Sequence, residues 1–390
     1  MRVPSAYQAG YDKASVLNPA VAARYIEHTV IGDPLADAAV ESMAGLCQDD
    51  IHRLIRAGMD QDAQRLADAP QALRDFFDQL AVPPPWFDPA EKRVYAGCRA
   101  FHNDSDLFLL AFLGDVIVRG FATMISKSFF MTGRLWDYGV RRLQRNILHL
   151  IEIMMPGGLE RQGEGWKLSV RIRLVHAQVR RMLSLSDEWD AATCGTPLSA
   201  AHVALAAAGF SAQLLAAAIR LGARPSDEGR DGFMHIWRYT ALLLGVPETI
   251  RFRGEADARE LYRIGCLCEP PPDIEAIAMA NALINSAPLV VNITDPLERR
   301  AIVRYGYRVS RALIGHELAD QLKFPRQRTT GVLAWLRWKR RMERTLGRWF
   351  PSQRGTAQKF MTLLQTTELE SRGTSYRLPD QLSSDPSKDW

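Results

Sequence analysis

The stretch WKLSVRIRLVHAQVRRMLSLS at residues 166–186 decides the fold, because it is a clear amphipathic helix in the middle of the chain. Four of its apolar residues recur at helical spacing and form one stripe that a folded protein would bury. They are Ile172, Val175, Val179 and Leu183, and His176 lies at the edge of their stripe. Elsewhere the apolar residues also recur mostly at helical spacing, and the best alternating pattern is the short LVVNIT at 289–294. We therefore predict an all-α protein.

Three more helices are predicted around this one. They cover about 135–155, about 200–221 after Ser199 as N-cap and before Gly222 as stop, and about 226–245. Four helices with short connections form one packed unit. The sequence predicts a single large helical domain at 101–365, an N-terminal helical extension at 1–100 that packs on it, and a flexible tail at 366–390, where apolar residues are scarce.

Composition excludes several classes of protein. With 390 residues, 47% hydrophobic and 24% charged, the chain is not disordered and can bury a large core. The net charge of +5 is small for this length and implies no nucleic-acid partner. No uncharged apolar run of membrane-spanning length and no secretory leader is visible, so we expect a cytoplasmic protein. The five cysteines include no CxxC pair, and we expect buried, reduced thiols.

The surroundings of His176 point to cofactor chemistry. A neutral imidazole in an apolar setting is a good ligand for haem iron. Arg173 lies three residues before His176 and Arg180 four residues after it, so both share its face of the helix. Two guanidinium groups at this spacing would suit the two propionates of a haem. The alternative is a histidine at the edge of the core, with both arginines paired to acids elsewhere in the chain.

A second candidate group lies on the preceding helix. Arg142, Arg145, Asn146 and His149 form one continuous polar stripe on that helix. Such a stripe is either the solvated face of the helix or the lining of a pocket.

Several short motifs occur along the central part of the chain. They are GD at 114–115, TGRL at 132–135, RR at 141–142, VRIRLVHAQVR at 170–180, WDAATCGTPLS at 189–199, FS at 210–211 and WRYTALLLGVP at 237–247. Together, in this order and spacing, they resemble a known family of haem-dependent oxygenases, which includes latex clearing protein, a rubber oxygenase, and the fungal oxygenase that cleaves the prenyl chain in mycophenolic acid biosynthesis.

The resemblance implies a globin-like helical core that holds one b-type haem, with His176 as the proximal iron ligand. Where latex clearing proteins have Arg-x-x-Lys-Thr in the distal pocket, this chain has Arg142, Arg145 and Asn146. An arginine does not lose its proton, so Arg145 would not ligate iron as a lysine can. We expect these three residues to donate hydrogen bonds to bound dioxygen.

One departure from the family concerns an acid. The rubber oxygenases have a distal glutamate that is proposed as a catalytic base, and a gapless count puts Ser126 at that place here. Between Gly114 and Arg142 the only acids are Asp115 and Asp137. Either another acid comes from elsewhere in the chain, or the reaction differs.

The leading functional hypothesis is a haem b-dependent oxygenase that uses dioxygen on a carbon–carbon double bond of an apolar, isoprenoid-type substrate. A haem-binding sensor or carrier would share the histidine and show no turnover. A non-haem metal hydrolase could use His149, Glu152 and His176. A helical interaction module without cofactor would leave Arg142 and Arg173 exposed to water.

A basic amphipathic helix is predicted at 331–350. Its apolar line contains Trp335, Trp338, Met342, Leu346 and Trp349, and most of its other positions are Arg or Lys. A terminal helix docked on the core by this line is the commoner arrangement, and the alternatives are contact with an anionic membrane, with a partner surface or with nucleic acid.

Overall fold

The computed structural model describes residues 2–131, 137–290, 293, 295–349 and 378, of which 137–143, 289–290 and 346–349 are described by their backbone alone. Helices make up all the regular structure of this described part, which confirms the all-α prediction. The strand-like pattern at 289–294 is not a strand where it is described, because its first two residues end a helix.

The helices of the described residues follow one another with short connections. We label them α1 Gln8–Leu17, α2 Pro19–His28, α3 Pro34–Ser42, α4 Gln48–Met59, α5 Ala63–Leu66, α6 Gln71–Gln79, α7 Lys92–Asn103, α8 Ser105–Ala111, α9 Ile117–Phe121, α10 Ile125–Met131, α11 Asp137–Ile153, α12 Glu164–Ser184, α13 Ala191–Cys194, α14 Ala200–Ala208, α15 Leu214–Leu221, α16 Asp227–Leu243, α17 Glu255–Cys268, α18 Ile274–Val290, α19 Pro296–Ile314, α20 His316–Gln321 and α21 Val332–Trp349. Two π-helical turns, Phe112–Val116 and Gly209–Gln213, join α8 to α9 and α14 to α15.

The four central helices, α11, α12, the run from α14 to α15, and α16, form within two residues of the predicted bounds. Ser199 and Ser226 cap the N-termini of α14 and α16 with their side-chain oxygens, as predicted. Gly222 ends α15 with a φ of 120°, a conformation that favours glycine.

Among the described residues, the run Ala200–Leu221 is long and apolar enough to cross a membrane. The helices Ser105–Phe121 and Ile125–Met131 reach this length only when taken together, and they are bent by 85° relative to each other. However, 67% of the Ala200–Leu221 window is buried inside the protein, as in a core helix. α16 packs beside it, with Phe233, Ile236 and Trp237 fully buried. This alanine-rich run is therefore the centre of the core.

The N-terminal helices pack directly on the core. α1 lies against α17, and α3 lies against both α6 and α12. The domain boundaries at residues 100 and 365 stay a prediction, and the tail at 366–390 lies outside the described residues apart from Leu378.

All five cysteines are free thiols. Cys98, Cys194 and Cys268 are buried and Cys266 is half-buried, but Cys47 is exposed, so the expectation of burial is wrong there. The reason is local: Cys47 is the residue before α4, on the surface of the N-terminal part.

Two ion pairs fasten α12 to the start of α3. Arg173 donates from Nε and Nη2 to the two carboxylate oxygens of Asp33 at 2.5 and 2.8 Å, and both side chains are buried. Arg180 donates from Nε to Asp37 at 2.8 Å and from Nη1 to the carbonyl of Leu198 at 2.6 Å. These bidentate contacts fix the rotation of α12 about its own axis.

Glycine makes room for the Arg173 pair. Gly245 ends α16 with a φ of 85°, and a Cβ there would lie 2.1 Å from Oδ2 of Asp33 and 2.7 Å from Nε of Arg173. Its motif, LLLGVP, is one of those that carry the family resemblance.

We predict that Arg173→Met lowers the free energy of unfolding by about 3 to 5 kcal/mol, because it leaves the Asp33 carboxylate buried without its partner. Arg181→Met is the matched control on the same helix, since Arg181 pairs with Glu41 at the surface and such pairs contribute about 1 kcal/mol or less. Urea denaturation measures both changes. Equal losses in the two variants would contradict the stabilising role of the Arg173 pair.

Candidate active site

A cavity of about 120 Å³ lies where α9 to α12 meet the central alanine-rich run. Protein interiors rarely contain voids larger than one water molecule, and an apolar cavity of about 150 Å³ is enough to bind benzene. The walls are mostly apolar, so the cavity suits an apolar ligand. The apolar lining residues are Val116, Ile117, Phe121, Ile125, Phe129, Ile172, Leu198, Val203, Leu205, Ala206, Ala207, Phe210 and Leu244.

His176 lies on the wall of this cavity, together with Ile172 one turn earlier on α12. Ala206, Ala207 and Gly209 form another part of the wall, where small side chains keep the space open. Gly120 also lines the cavity, and a Cβ added there would meet nothing within 4 Å. The structure therefore brings the predicted ligand histidine to an open, apolar space.

His149 of α11 also lines the cavity, and its protonation is fixed by a neighbour. The Ser169 hydroxyl donates its single hydrogen to the carbonyl of Gly165 at 2.6 Å, so it can only accept from Nε2 of His149, 2.8 Å away. Burial and the nearby His176 lower the pKa of His149 to about 3. His149 is therefore neutral, with its hydrogen on Nε2.

His202 of α14 is the third histidine on the wall, and both of its nitrogens are in hydrogen bonds. Nδ1 accepts from the backbone N–H of Ser199 at 3.3 Å, so Nε2 carries the hydrogen and donates to the Tyr7 hydroxyl at 2.7 Å. Burial lowers the pKa of His202 to about 4. Because both of its nitrogens are used, His202 is a poor candidate for an iron ligand.

Of the described residues that line the cavity, Arg119 alone carries a permanent charge. It donates from Nε to the fully buried Asp115 at 3.0 Å, and Asp115 also accepts from Nε2 of Gln213 at 2.6 Å. Asp115 and Gln213 each belong to one of the two π-helical turns, so this contact joins those turns beside the cavity. Asp115 is the acid of the GD motif, and its hydrogen bond with Arg119 explains why an acid is needed at this position.

The structure separates the predicted polar stripe of α11. Asn146 and His149 lie on the cavity wall, whereas Arg145 is exposed and is not among the lining residues. The side chain of Arg142 lies outside the described residues. The catalytic roles assigned to these residues stay predictions.

Arg173 and Arg180 do not line the cavity. Each contacts an acid of the N-terminal part, Asp33 or Asp37, which is the alternative arrangement that the sequence left open. Their predicted contact with haem propionates stays a prediction.

Two rival hypotheses lose support. No group of three or more His, Cys, Asp or Glu side chains that could hold a metal ion occurs among the described residues, which speaks against a site of His149, Glu152 and His176. Arg173 is buried, whereas an interaction module without cofactor would leave it exposed to water.

A buried glutamate behind the cavity was missed by the sequence analysis. Glu269 follows α17, accepts the Tyr25 hydroxyl at 2.6 Å and the backbone N–H of Met124 at 2.7 Å, and lies 3.6 Å from Nε2 of His202. Burial raises the pKa of this carboxyl to about 7. No motif marks Glu269, since its partners come from segments more than 60 residues away in the sequence.

Among the described residues, fold and site together define a helical protein with a histidine-lined apolar cavity beside the central alanine-rich run Ala200–Leu221. Residues 107–347 match the family described as "ER-bound oxygenase mpaB/B'/Rubber oxygenase, catalytic domain". The match covers more than half of the chain, so the chain belongs to this family and is an oxygenase. This confirms the resemblance found in the motifs.

A solved structure shows the same fold. The structure of latex clearing protein in the closed state matches with a TM-score of 0.67 and 18% sequence identity, over 90% of this chain and 95% of that one. No curated protein matches at the significance required.

We predict that Glu269→Gln removes a pH-dependent loss of stability. The pKa of about 7 in the folded protein lies above the ordinary 4.5, so the folded state holds a proton that the unfolded chain releases between these values. The contribution of Glu269 to stability therefore falls as the pH rises from about 4.5 to about 7 and is constant above that range.

The variant should become more stable than the wild type by up to about 3 kcal/mol at about pH 8, with little difference below about pH 5. Denaturant unfolding across this range measures the difference, and the exposed Glu317→Gln serves as control. A difference that does not change with pH would contradict the raised pKa.

Proposed function

We propose that this chain is a haem b-dependent oxygenase that uses dioxygen on a carbon–carbon double bond of an apolar, isoprenoid-type substrate. The observation that carries the proposal is the His176 imidazole on the wall of an apolar cavity, in a member of an oxygenase family. The name of that family and the name of the structural match both refer to rubber or latex, which supports the choice of an isoprenoid substrate.

The residues of the cavity fit a haem. His176 would hold the iron, and the apolar walls with the small residues Ala206, Ala207 and Gly209 match the chemistry of a flat apolar group. When bound, a haem supplies the dioxygen chemistry that no amino-acid side chain provides. The remaining chemistry of the site belongs to the chain itself.

Asn146 and Arg119 are among the hydrogen-bond donors on the cavity wall. Donors held in place in an apolar, water-poor site stabilise negative charge much more strongly than they would in water. Asp115 holds Arg119 in position through its Nε. We assign Asn146 and Arg119 the stabilisation of the negative charge that develops during the reaction.

The neutral histidines have a different task. His149 and His202 stay uncharged at neutral pH because burial lowers their pKa values. A neutral lining keeps the cavity suitable for an apolar chain, since a buried, uncompensated charge would attract water.

Glu269 supplies the acid that Ser126 cannot. Ser126 donates its hydroxyl to Thr123, and Glu269 accepts the N–H of Met124, two residues before Ser126. α17 and α18 thus bring a carboxyl to the segment where a gapless count places the glutamate of the rubber oxygenases. Glu269 is not among the cavity lining, so we assign it a positioning role, in which it orients His202 and holds a proton near neutral pH.

We predict that the purified protein has a Soret absorption band and that His176→Ala abolishes it, because the variant lacks the imidazole that would bind the iron. His316→Ala, which changes an exposed histidine that does not line the cavity, should keep the band. An unchanged band in His176→Ala, or folded protein without haem after expression with sufficient iron, would contradict the proposal. A haem-loaded protein that binds dioxygen reversibly and oxidises no isoprenoid alkene would favour the sensor or carrier.

A further prediction concerns Asn146. Asn146→Ala should lower the turnover of an isoprenoid substrate by about tenfold to a thousandfold, which is the range for losing one donor at a developing charge. The Soret band should remain, because Asn146 is not the iron ligand. The surface variant Asn103→Ala should behave as wild type, and equal activity of the two variants would remove Asn146 from the catalytic residues.

A further inference from the structure

Helix α21 carries an apolar row that faces water. Trp335 and Trp338 are 52% and 59% exposed, and Met342 is 39% exposed. Three such side chains at positions i, i+3 and i+7 lie on one face of a helix. Large exposed apolar groups in a row commonly mark a binding surface.

The opposite face of α21 fastens the helix to the core. Val332 and Leu336 are buried, and Arg340 donates from Nη2 to Asp104 at 2.8 Å. Arg344 donates to the same carboxylate at 2.7 Å. The sequence favoured docking through the tryptophan line. That expectation is wrong for Trp335, Trp338 and Met342, because the buried Asp104 selects the arginine-bearing face instead.

The charge around this apolar row is strongly positive. Arg337 and Arg341 are exposed on one side of the row and Lys339 on the other. Residues 295–349 contain fourteen Lys or Arg against five Asp or Glu, whereas the rest of the chain contains 35 against 39. The excess positive charge of the protein is therefore concentrated in the segment that exposes the tryptophans.

We propose that α21 is a membrane-surface anchor that lies on bilayers containing anionic phospholipid. Trp335, Trp338 and Met342 would enter the boundary between headgroups and acyl chains, while Arg337, Lys339 and Arg341 bind lipid phosphates. Tryptophan and basic residues are the usual composition of such helices. This inference goes beyond the oxygenase function and does not depend on haem.

A protein partner fits the row less well. A stable protein interface buries about 800 Å² on each side, and two tryptophans with one methionine supply only part of that area. A lipid surface has no such minimum, since each inserted side chain and each basic contact adds to the binding.

The test is flotation of the full-length protein with vesicles of phosphatidylcholine, with or without phosphatidylglycerol. We expect binding to the anionic vesicles, a blue shift of the tryptophan fluorescence, and weaker binding as salt is added. Trp335→Ala with Trp338→Ala should lower the partition coefficient at least tenfold. Val82→Ala with Leu185→Ala is the matched control, because it removes two exposed apolar side chains from other parts of the surface.

A second pair of variants tests the charge. Arg337→Gln with Arg341→Gln should reduce binding to anionic vesicles and leave the melting temperature unchanged, since both side chains are exposed. Failure of the wild type to float with anionic vesicles, or equal binding by all variants, overturns the proposal. So does a dimer in solution that the tryptophan variant dissociates while vesicle binding is absent.

Discussion

The position of the candidate active site depends on two ion pairs that lie on either side of His176, one of them buried and the other partly buried. Arg173 and Arg180 share the face of α12 with the histidine, and Asp33 and Asp37 hold them from the N-terminal part. A guanidinium bound at two points cannot rotate without breaking both hydrogen bonds. The helix is therefore locked about its axis, and His176, between the two pairs, stays on the cavity wall. The N-terminal helices thus supply the acids that orient the helix carrying His176.

The sequence predicted the features that depend on neighbouring residues. Apolar periodicity, serine caps and a terminal glycine are local signals, and they located α12, α14 to α15, and α16 within two residues. The motifs also indicated the oxygenase family and His176 as the candidate iron ligand. The motifs could do so because they are concentrated in this same central segment, between residues 114 and 247.

The predictions that failed or were incomplete concern rotation of helices and contacts between distant segments. On α11 the stripe divides, with Asn146 on the cavity wall and Arg145 exposed, because a few tens of degrees of rotation decide which residues meet the cavity. On α21 the buried Asp104 binds Arg340 and Arg344 and turns the tryptophans outward. A buried carboxylate requires a partner more strongly than a tryptophan requires burial, and the sequence does not show which acid is buried.

Glu269 shows that a buried carboxyl can reach the neighbourhood of a site from a distant place in the chain. In the sequence alone, this protein has Ser126 where the rubber oxygenases have a glutamate, and no acid stands next to it in the chain. In the folded protein the carboxyl at the end of α17 binds the backbone beside that residue and contacts the surroundings of His202. Burial raises the pKa of this carboxyl to about 7, so it holds its proton to a higher pH than a surface glutamate does. A missing motif residue therefore does not exclude a reaction until the neighbouring segments of the fold have been searched for a substitute.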